Sequence, residues 1–226
     1  YSMSIASNIQ EINRTLTPES KLIAVSKLQS PESIMQAYEA GQRRFGESRA
    51  QEMTAKHKVL PDDIEWHFIG HLQRNKVKYI IPFVSLIQSV DSPALLEEIN
   101  KSAEKTSRLV PCLLQVHIAR EKSKFGFTPD ELKQFMQEGS WKKLGHVRLH
   151  GLMGMATFTD NMDQVRQEFR LLRHLFEEIR SGYFSKDESF KELSMGMTGD
   201  YQIALQEGST MVRIGTALFG VREKGE

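Results

Sequence analysis

The sequence has one cysteine, Cys112, and no apolar run long enough to cross a bilayer. A single cysteine excludes an intrachain disulfide, which favours a reducing, cytoplasmic setting. The first ten residues, YSMSIASNIQ, do not combine a basic segment with an apolar one, so we predict no signal peptide. These absences argue against a membrane-spanning protein and against a secreted disulfide-stabilised one.

The chain also has no excess of either charge. Thirty basic residues face 29 acidic ones, which leaves a net charge of +1. We therefore predict neither nucleic-acid binding nor attachment to a membrane surface. Hydrophobic residues make up 39% of the 226 residues, which is enough for a folded core.

A regular alternation of strand-like and helix-like segments runs through the chain. The eight predicted strands cover residues 22–27, 43–48, 64–70, 86–90, 109–118, 147–153, 193–197 and 211–219. The predicted helices cover residues 5–16, 30–38, 51–57, 72–83, 93–105, 128–137, 162–180 and 200–206. No linker rich in proline, glycine or serine interrupts this alternation.

The predicted strands are apolar almost throughout, as parallel strands covered by helices are. Eight strand–helix units in a chain of this length predict an α/β fold, a single (β/α)8 TIM-type barrel with an extra N-terminal helix. We predict that residues 1–226 form one domain. A doubly wound open sheet is the alternative, but no Gly-x-Gly-x-x-Gly turn follows any strand.

Active sites of such barrels lie at the C-terminal ends of the strands. Arg213 is unusual there, because it stands in an apolar strand and a buried guanidinium needs an acceptor. That acceptor is either a carboxylate elsewhere in the barrel or a bound ligand. Gly215, predicted to share the strand face of Arg213, would let a ligand approach the backbone.

Two turns of small residues lie late in the chain, at residues 194–199 and at 215–216. Barrels frequently bind phosphate at the loops after strands seven and eight. Ser194, Thr198, Gly215 and Thr216 supply hydroxyl and backbone N–H donors for such a group. We therefore predict a phosphate site at these two turns.

Lys27 ends the first strand. Ile23, Val25 and Lys27 alternate onto one strand face, and one of the two possible orientations sends Lys27 into the barrel mouth. A lysine desolvated there has a lowered pKa and can form a Schiff base with an aldehyde. An internal lysine, an arginine and a phosphate site together suggest pyridoxal phosphate (PLP).

His67 and His71 have no third metal ligand at a useful spacing, so we predict no metal site. We interpret His67 as a strand-end histidine that makes ordinary hydrogen bonds, and we include it among the candidate cofactor-binding residues.

Several segments carry a resemblance to a known family. They are residues 24–27 (AVSK), 45–47 (FGE), 67–76 (HFIGHLQRNK), 121–126 (EKSKFG), 193–197 (LSMGM) and 208–220 (GSTMVRIGTALFG). With these segments the chain resembles the pyridoxal phosphate homeostasis proteins, which are similar to the barrel domain of alanine racemase.

The resemblance implies that Lys27 forms an internal aldimine with PLP, that Ser194, Gly215 and Thr216 hold the phosphate, and that Arg213 approaches the pyridine nitrogen. An arginine at that nitrogen disfavours its protonation, which weakens the ring as an electron sink. The family usually has Asn-Tyr where this chain has Ser48-Arg49, and Asn where it has His117. We therefore expect Ser48 and His117 only to line the pocket.

Two functions of different class follow. In the first, the protein stores and delivers PLP to apo PLP-dependent enzymes, as a monomer or weak dimer without dedicated catalytic activity. In the second, it is a PLP-dependent amino-acid racemase or a related fold-type III enzyme. Alanine racemases add a second, β-rich domain with an opposing tyrosine, and this chain ends at Glu226, soon after strand eight. We therefore expect the first function, with at most weak side activity.

Overall fold

The structure is a computed structural model that describes residues 4–122 and 125–220. Its strands close into a barrel in the order β1 to β8, and every neighbouring pair is parallel. The strands are β1 (Lys21–Val25), β2 (Arg44–Glu47), β3 (Glu65–Phe68), β4 (Leu86–Val90), β5 (Val110–Gln115), β6 (Val147–Met153), β7 (Glu192–Ser194) and β8 (Met211–Ile214). The predicted (β/α)8 barrel is confirmed.

Helices cover the outside of the barrel and connect its strands. They are α1 (Ile5–Thr15), α2 (Pro31–Glu39), α3 (Ala50–Val59), α4 (Val77–Ile80), α5 (Pro93–Lys105), α6 (Pro129–Glu138), α7 (Met162–Tyr183), α8 (Tyr201–Gln206) and α9 (Thr216–Phe219). The extra N-terminal helix, α1, precedes the first strand as predicted. Within the described residues, no helix is long and apolar enough to cross a bilayer.

Local sequence explains where three of these helices begin. Ser30, Ser92 and Thr128 each accept a hydrogen bond from a first-turn N–H group, and a proline follows each of them. The proline has no N–H to leave unsatisfied in the first turn and already has a helical φ angle. These starts are therefore determined by adjacent residues.

The barrel interior changes from apolar to polar along the strands. A small buried cluster fills its centre, formed by Ile23, Leu86, Leu113, Met153 and Met211. Two residues further along three of these strands stand Gln88, Gln115 and Arg213, all buried. Since side chains alternate along a strand, these polar groups face the same interior, nearer the C-terminal ends. They form the floor of a polar site.

Two predicted elements are wrong. The strand predicted over residues 211–219 ends at Ile214, because the backbone of Gly215 turns to helical angles and its carbonyl accepts from Leu218 N–H at 3.0 Å. Gly215 therefore does not share a strand face with Arg213. The helix predicted over residues 72–83 is a 3-10 turn at Arg74–Lys76 followed by the short α4.

Other strands are shorter than predicted, most clearly β3, β5 and β7. Apolar residues continue past the last strand residue in these segments, at Ile69, Val116 and Met195, so composition does not mark the end of a strand. The segment 121–126 that carries part of the resemblance includes residues 123 and 124, which lie outside the described residues.

Candidate functional site

Lys27 lies in the turn directly after β1 and is half-buried. Ile23 packs in the central cluster of the barrel, whereas Leu22 and Ala24 pack in the larger cluster outside it. The face of β1 that contains Ile23 and leads to Lys27 is therefore the inner one. This places Lys27 at the C-terminal mouth. The sequence alone did not decide between the two orientations.

Arg213 lies in β8, which pairs with β1 so that Ile23 is opposite Arg213. Its guanidinium is buried and donates to the carbonyl oxygen of Gly154 at 3.0 Å and to the hydroxyl of Ser194 at 2.5 Å. Both acceptors are neutral, and no carboxylate in the described parts of the chain forms an ion pair with it. Burial lowers the pKa of Arg213 to about 10, so the side chain stays charged at neutral pH.

A chain of hydrogen bonds continues from Arg213 across the barrel. The Ser194 hydroxyl donates to Oε1 of Gln88 at 2.5 Å, and Nε2 of Gln88 lies 3.0 Å from Nδ1 of His67. Because Gln88 accepts through its oxygen, its nitrogen donates to His67, and Nδ1 of His67 is an acceptor. Burial lowers the pKa of His67 to about 3, so the ring is neutral with its proton on Nε2.

The turn after β7, where the sequence predicts a phosphate site, contains Thr198, which is half-buried. The turn is closed by the N–H of Met197, which donates to Oδ1 of Asp200 at 2.7 Å. Burial raises the pKa of Asp200, an effect that this hydrogen bond and then the charge of Arg213 oppose. Ser194 itself is fully buried below this turn and is already bonded to Arg213 and Gln88.

Gly215 and Thr216 follow β8 at the same mouth. A Cβ atom on Gly215 would lie 3.3 Å from Cβ of Val25, so the glycine allows β8 to approach the end of β1 closely. Thr216 is exposed and begins α9. Since β1 and β8 are neighbours, Lys27 and Thr216 leave the barrel at the same edge.

Ser48 and His117 lie on other parts of the rim. Ser48 follows β2 and lines a cavity of about 240 Å³ together with Arg49, His71 and Lys76. His117 follows β5, and its buried Nδ1 atom has no hydrogen-bond partner among the described residues. An unsatisfied buried nitrogen at a barrel mouth is a candidate contact for a ligand.

The sequence reasoning missed a buried charged cluster beneath Lys27. Nζ of Lys56, a residue of α3, lies 3.0 Å from Oε2 of Glu47 and 2.6 Å from Oε2 of Glu52. The Ser26 hydroxyl donates to Glu47. The one signal in the sequence is the position of Lys56, three residues after Met53 on the apolar face of α3. A lysine in such a position usually extends its amine to the surface, so the sequence does not predict a buried ion pair.

The residues at the mouth fit an anionic aldehyde cofactor. Arg213 is a buried cation at the floor with neutral hydrogen-bond acceptors, although the Asp200 carboxyl interacts with its charge, and the turns after β7 and β8 offer hydroxyl and N–H donors above it. Within the described residues, no group of three or more His, Cys, Asp or Glu side chains could hold a metal ion.

Comparisons with known proteins identify the family of the chain. Residues 2–223 match the family described as alanine racemase, N-terminal domain. The chain is 41% identical over 204 residues to a pyridoxal phosphate homeostasis protein of Aquifex aeolicus, which covers 90% of this chain and 87% of the relative.

Solved structures are similar over the same length. PipY of Synechococcus elongatus PCC7942 without PLP has a TM-score of 0.89 at 36% identity, covering 96% of this chain and 100% of PipY. PipY with PLP bound has a TM-score of 0.86 at 34% identity, with the same coverage. An alanine racemase of Streptomyces coelicolor A3(2) shares the fold, with a TM-score of 0.75 at 16% identity over 97% of this chain and 58% of the racemase.

Proposed function

This chain belongs to the alanine racemase N-terminal domain family and, within it, to the pyridoxal phosphate homeostasis proteins, and we propose that it binds PLP through a Schiff base on Lys27. In this proposal the protein stores the cofactor and delivers it to apo PLP-dependent enzymes in the cytoplasm. The observation that carries the proposal is the buried Arg213, a cation whose hydrogen-bond acceptors are neutral, on the strand β8 beside β1, which leads into the turn of Lys27.

The position of Lys27 supports its role as the attachment point. Lys27 follows β1 on the side of its inner face, and the neighbouring strand β8 is followed by Gly215 and Thr216. PLP supplies an aldehyde that condenses with a primary amine, and a ring that can accept electrons. The turns after β7 and β8, which would hold the phosphate, belong to the two strands that precede β1 around the closed barrel.

The proposed phosphate contacts are Gly215, Thr216 and Thr198, which lie in turns at the mouth. Ser194 has a different environment, because its hydroxyl is bonded to Arg213 and to Gln88. In this proposal the Ser194 hydroxyl orients Arg213, and only the main chain of Ser194 is left to contact the phosphate. His67, Ser48 and His117 would line the pocket around the ring.

Arg213 supports storage over catalysis. A guanidinium beside the pyridine nitrogen disfavours a protonated ring, since two positive charges would be adjacent. The neutral acceptors Gly154 O and Ser194 Oγ leave the charge of Arg213 in place. The ring is then a weak electron sink, and we expect no dedicated catalytic activity.

The site assignment is tested by mapping the attachment. Purified protein is mixed with PLP, reduced with borohydride and digested, and the modified peptide is identified by mass spectrometry. We expect the adduct on Lys27 and its loss in Lys27→Ala, whereas Lys76→Ala, a lysine of the neighbouring rim cavity, keeps it. An adduct on another lysine, with none on Lys27, would overturn the assignment.

Delivery needs a separate measurement. Loaded protein is mixed with an apo PLP-dependent enzyme and a phosphatase that destroys free PLP. We expect activation of the apo-enzyme that equal free PLP does not produce under these conditions. Equal activation by both would contradict delivery. Turnover of one amino acid at an enzymatic rate, abolished by Lys27→Ala, would make the protein a PLP-dependent enzyme instead, a racemase or a related one.

A further inference from the structure

The residue after Lys27 has an unusual backbone. Leu28 has a φ angle of 63°, in the left-handed region that residues other than glycine rarely adopt. Its side chain is 61% exposed, so packing does not hold it there. Its N–H donates to Oε2 of Glu52 at 2.6 Å. Such a conformation persists where surrounding groups determine it.

The residue before Lys27 is held equally firmly. Ser26 is fully buried, and its N–H donates to the carbonyl oxygen of Gly46 at 3.0 Å. Its own carbonyl oxygen accepts from Nζ of Lys56 at 2.7 Å, and its hydroxyl donates to Glu47. Both neighbours of Lys27 are therefore bonded to groups below the turn.

Lys56 connects these contacts. Its Nζ reaches Ser26 O, both oxygens of Glu47 and Oε2 of Glu52, the same oxygen that accepts from Leu28. The side chains of Lys56, Glu47 and Glu52 are 7%, 0% and 20% exposed. Burying such charges costs solvation free energy, and apolar residues of similar size often serve stability as well. Stability alone does not explain this cluster.

We propose that Glu47, Glu52 and Lys56 form a clamp that positions the main chain of Lys27 and so aims its amine at the barrel mouth. They act through Ser26 and Leu28 and are positioning residues. The effect on PLP rests on the proposed function, whereas the effect on the turn does not.

The clamp can be measured without cofactor. In cofactor-free protein, the exchange rate of the Leu28 amide is followed by NMR. Glu52→Ala removes the acceptor, and we expect the amide to exchange about ten- to a hundredfold faster. Glu52→Gln keeps an oxygen acceptor and restores most of the protection. Lys58→Met, an exposed lysine of the same helix, changes nothing.

The same variants are then titrated with PLP. We expect the dissociation constant to rise about ten- to a hundredfold in Glu52→Ala and in Lys56→Met, and to stay at the wild-type value in Lys58→Met. Lys56→Met leaves Glu47 buried without its partner, so its folding is checked by circular dichroism. Glu52 is partly exposed, and Glu52→Ala keeps the test decisive if Lys56→Met does not fold.

The outcomes separate the two proposals. If wild-type protein fails to attach PLP at Lys27, the proposed function is wrong, and the amide exchange still decides the clamp. If wild-type protein attaches PLP, but Glu52→Ala leaves both the Leu28 amide and the dissociation constant unchanged, the clamp is wrong.

Discussion

Nζ of Lys56 lies 3.0 Å from Oε2 of Glu47, in the buried space between α3 and the end of β2. This ion pair is covered by the turn that carries Lys27. Burial is the largest influence on the Glu47 carboxyl and raises its pKa to about 7, although Lys56 and the Ser26 hydroxyl oppose the rise.

The raised pKa of Glu47 predicts a specific pH dependence of stability. The folded pKa lies above the ordinary value of 4.5, so the folded state binds the proton more tightly. This contribution is complete below pH 4.5 and is lost as the pH rises through about 7. Urea unfolding of wild type and Glu47→Gln should show wild type losing stability relative to the variant between pH 4.5 and about pH 7, by about 1.4 kcal/mol per pH unit. A difference that does not change with pH would contradict this assignment.

His67 predicts a dependence of the opposite sign. Its folded pKa of about 3 lies below the ordinary 6.5, because burial disfavours the charged ring. Stability from this group is present above pH 6.5 and is lost as the pH falls towards 3. His67→Gln should reduce the acid sensitivity of the unfolding free energy by about 1.4 kcal/mol per pH unit in that range. The matched control is His174→Gln, at an exposed position on α7.

Arg213→Met should separate stability from binding. The guanidinium is buried with neutral acceptors, so removing its charge relieves desolvation, although Gly154 O loses a donor. We expect the free energy of unfolding to stay within about 1 kcal/mol of wild type or to rise. Affinity for PLP should fall sharply. Denaturant unfolding and PLP titration check the two effects, and a loss of several kcal/mol of stability would show that Arg213 is mainly a structural residue.

Gly151→Ala should disrupt the pairing of β6 with β7. Gly151 has a φ angle of 152°, and a Cβ atom there would lie 1.7 Å from the carbonyl oxygen of Glu192. Because that oxygen belongs to the backbone, the strands must separate. We expect a loss of at least about 3 kcal/mol, measured by thermal unfolding. Gly145→Ala, where nothing lies within 4 Å of the added atom, should change stability by less than about 0.5 kcal/mol. Equal effects of the two substitutions would contradict this explanation.

Much of the site could be predicted because the barrel places strand ends together. Once eight apolar strands alternate with helices, residues that follow the strands meet at one mouth, whatever their separation in sequence. Lys27 and Thr216 are brought to one edge in this way. The hydrogen bonds of Ser194 with Arg213 and Gln88 could not be predicted from strand order, and neither could the ion pairs of Lys56. These contacts depend on side-chain directions inside the folded barrel.

The last strand illustrates the same limit. The apolar residues from Met211 to Phe219 satisfy a strand pattern, and a short apolar run does not separate strand from helix. The structure turns into α9 at Gly215, where β8 passes close to Val25.

By itself, the sequence determined the parallel barrel and the polar residues that follow its strands, since the periodicity of apolar residues and the capping residues act locally. Only the tertiary structure decided that the inner face of β1 leads to Lys27 and that Ser194 bonds Arg213. It also decided that Lys56 lies beneath the Lys27 turn. The reason is that burial of charge and hydrogen-bond partners are set by contacts between distant segments, which form only when the barrel closes.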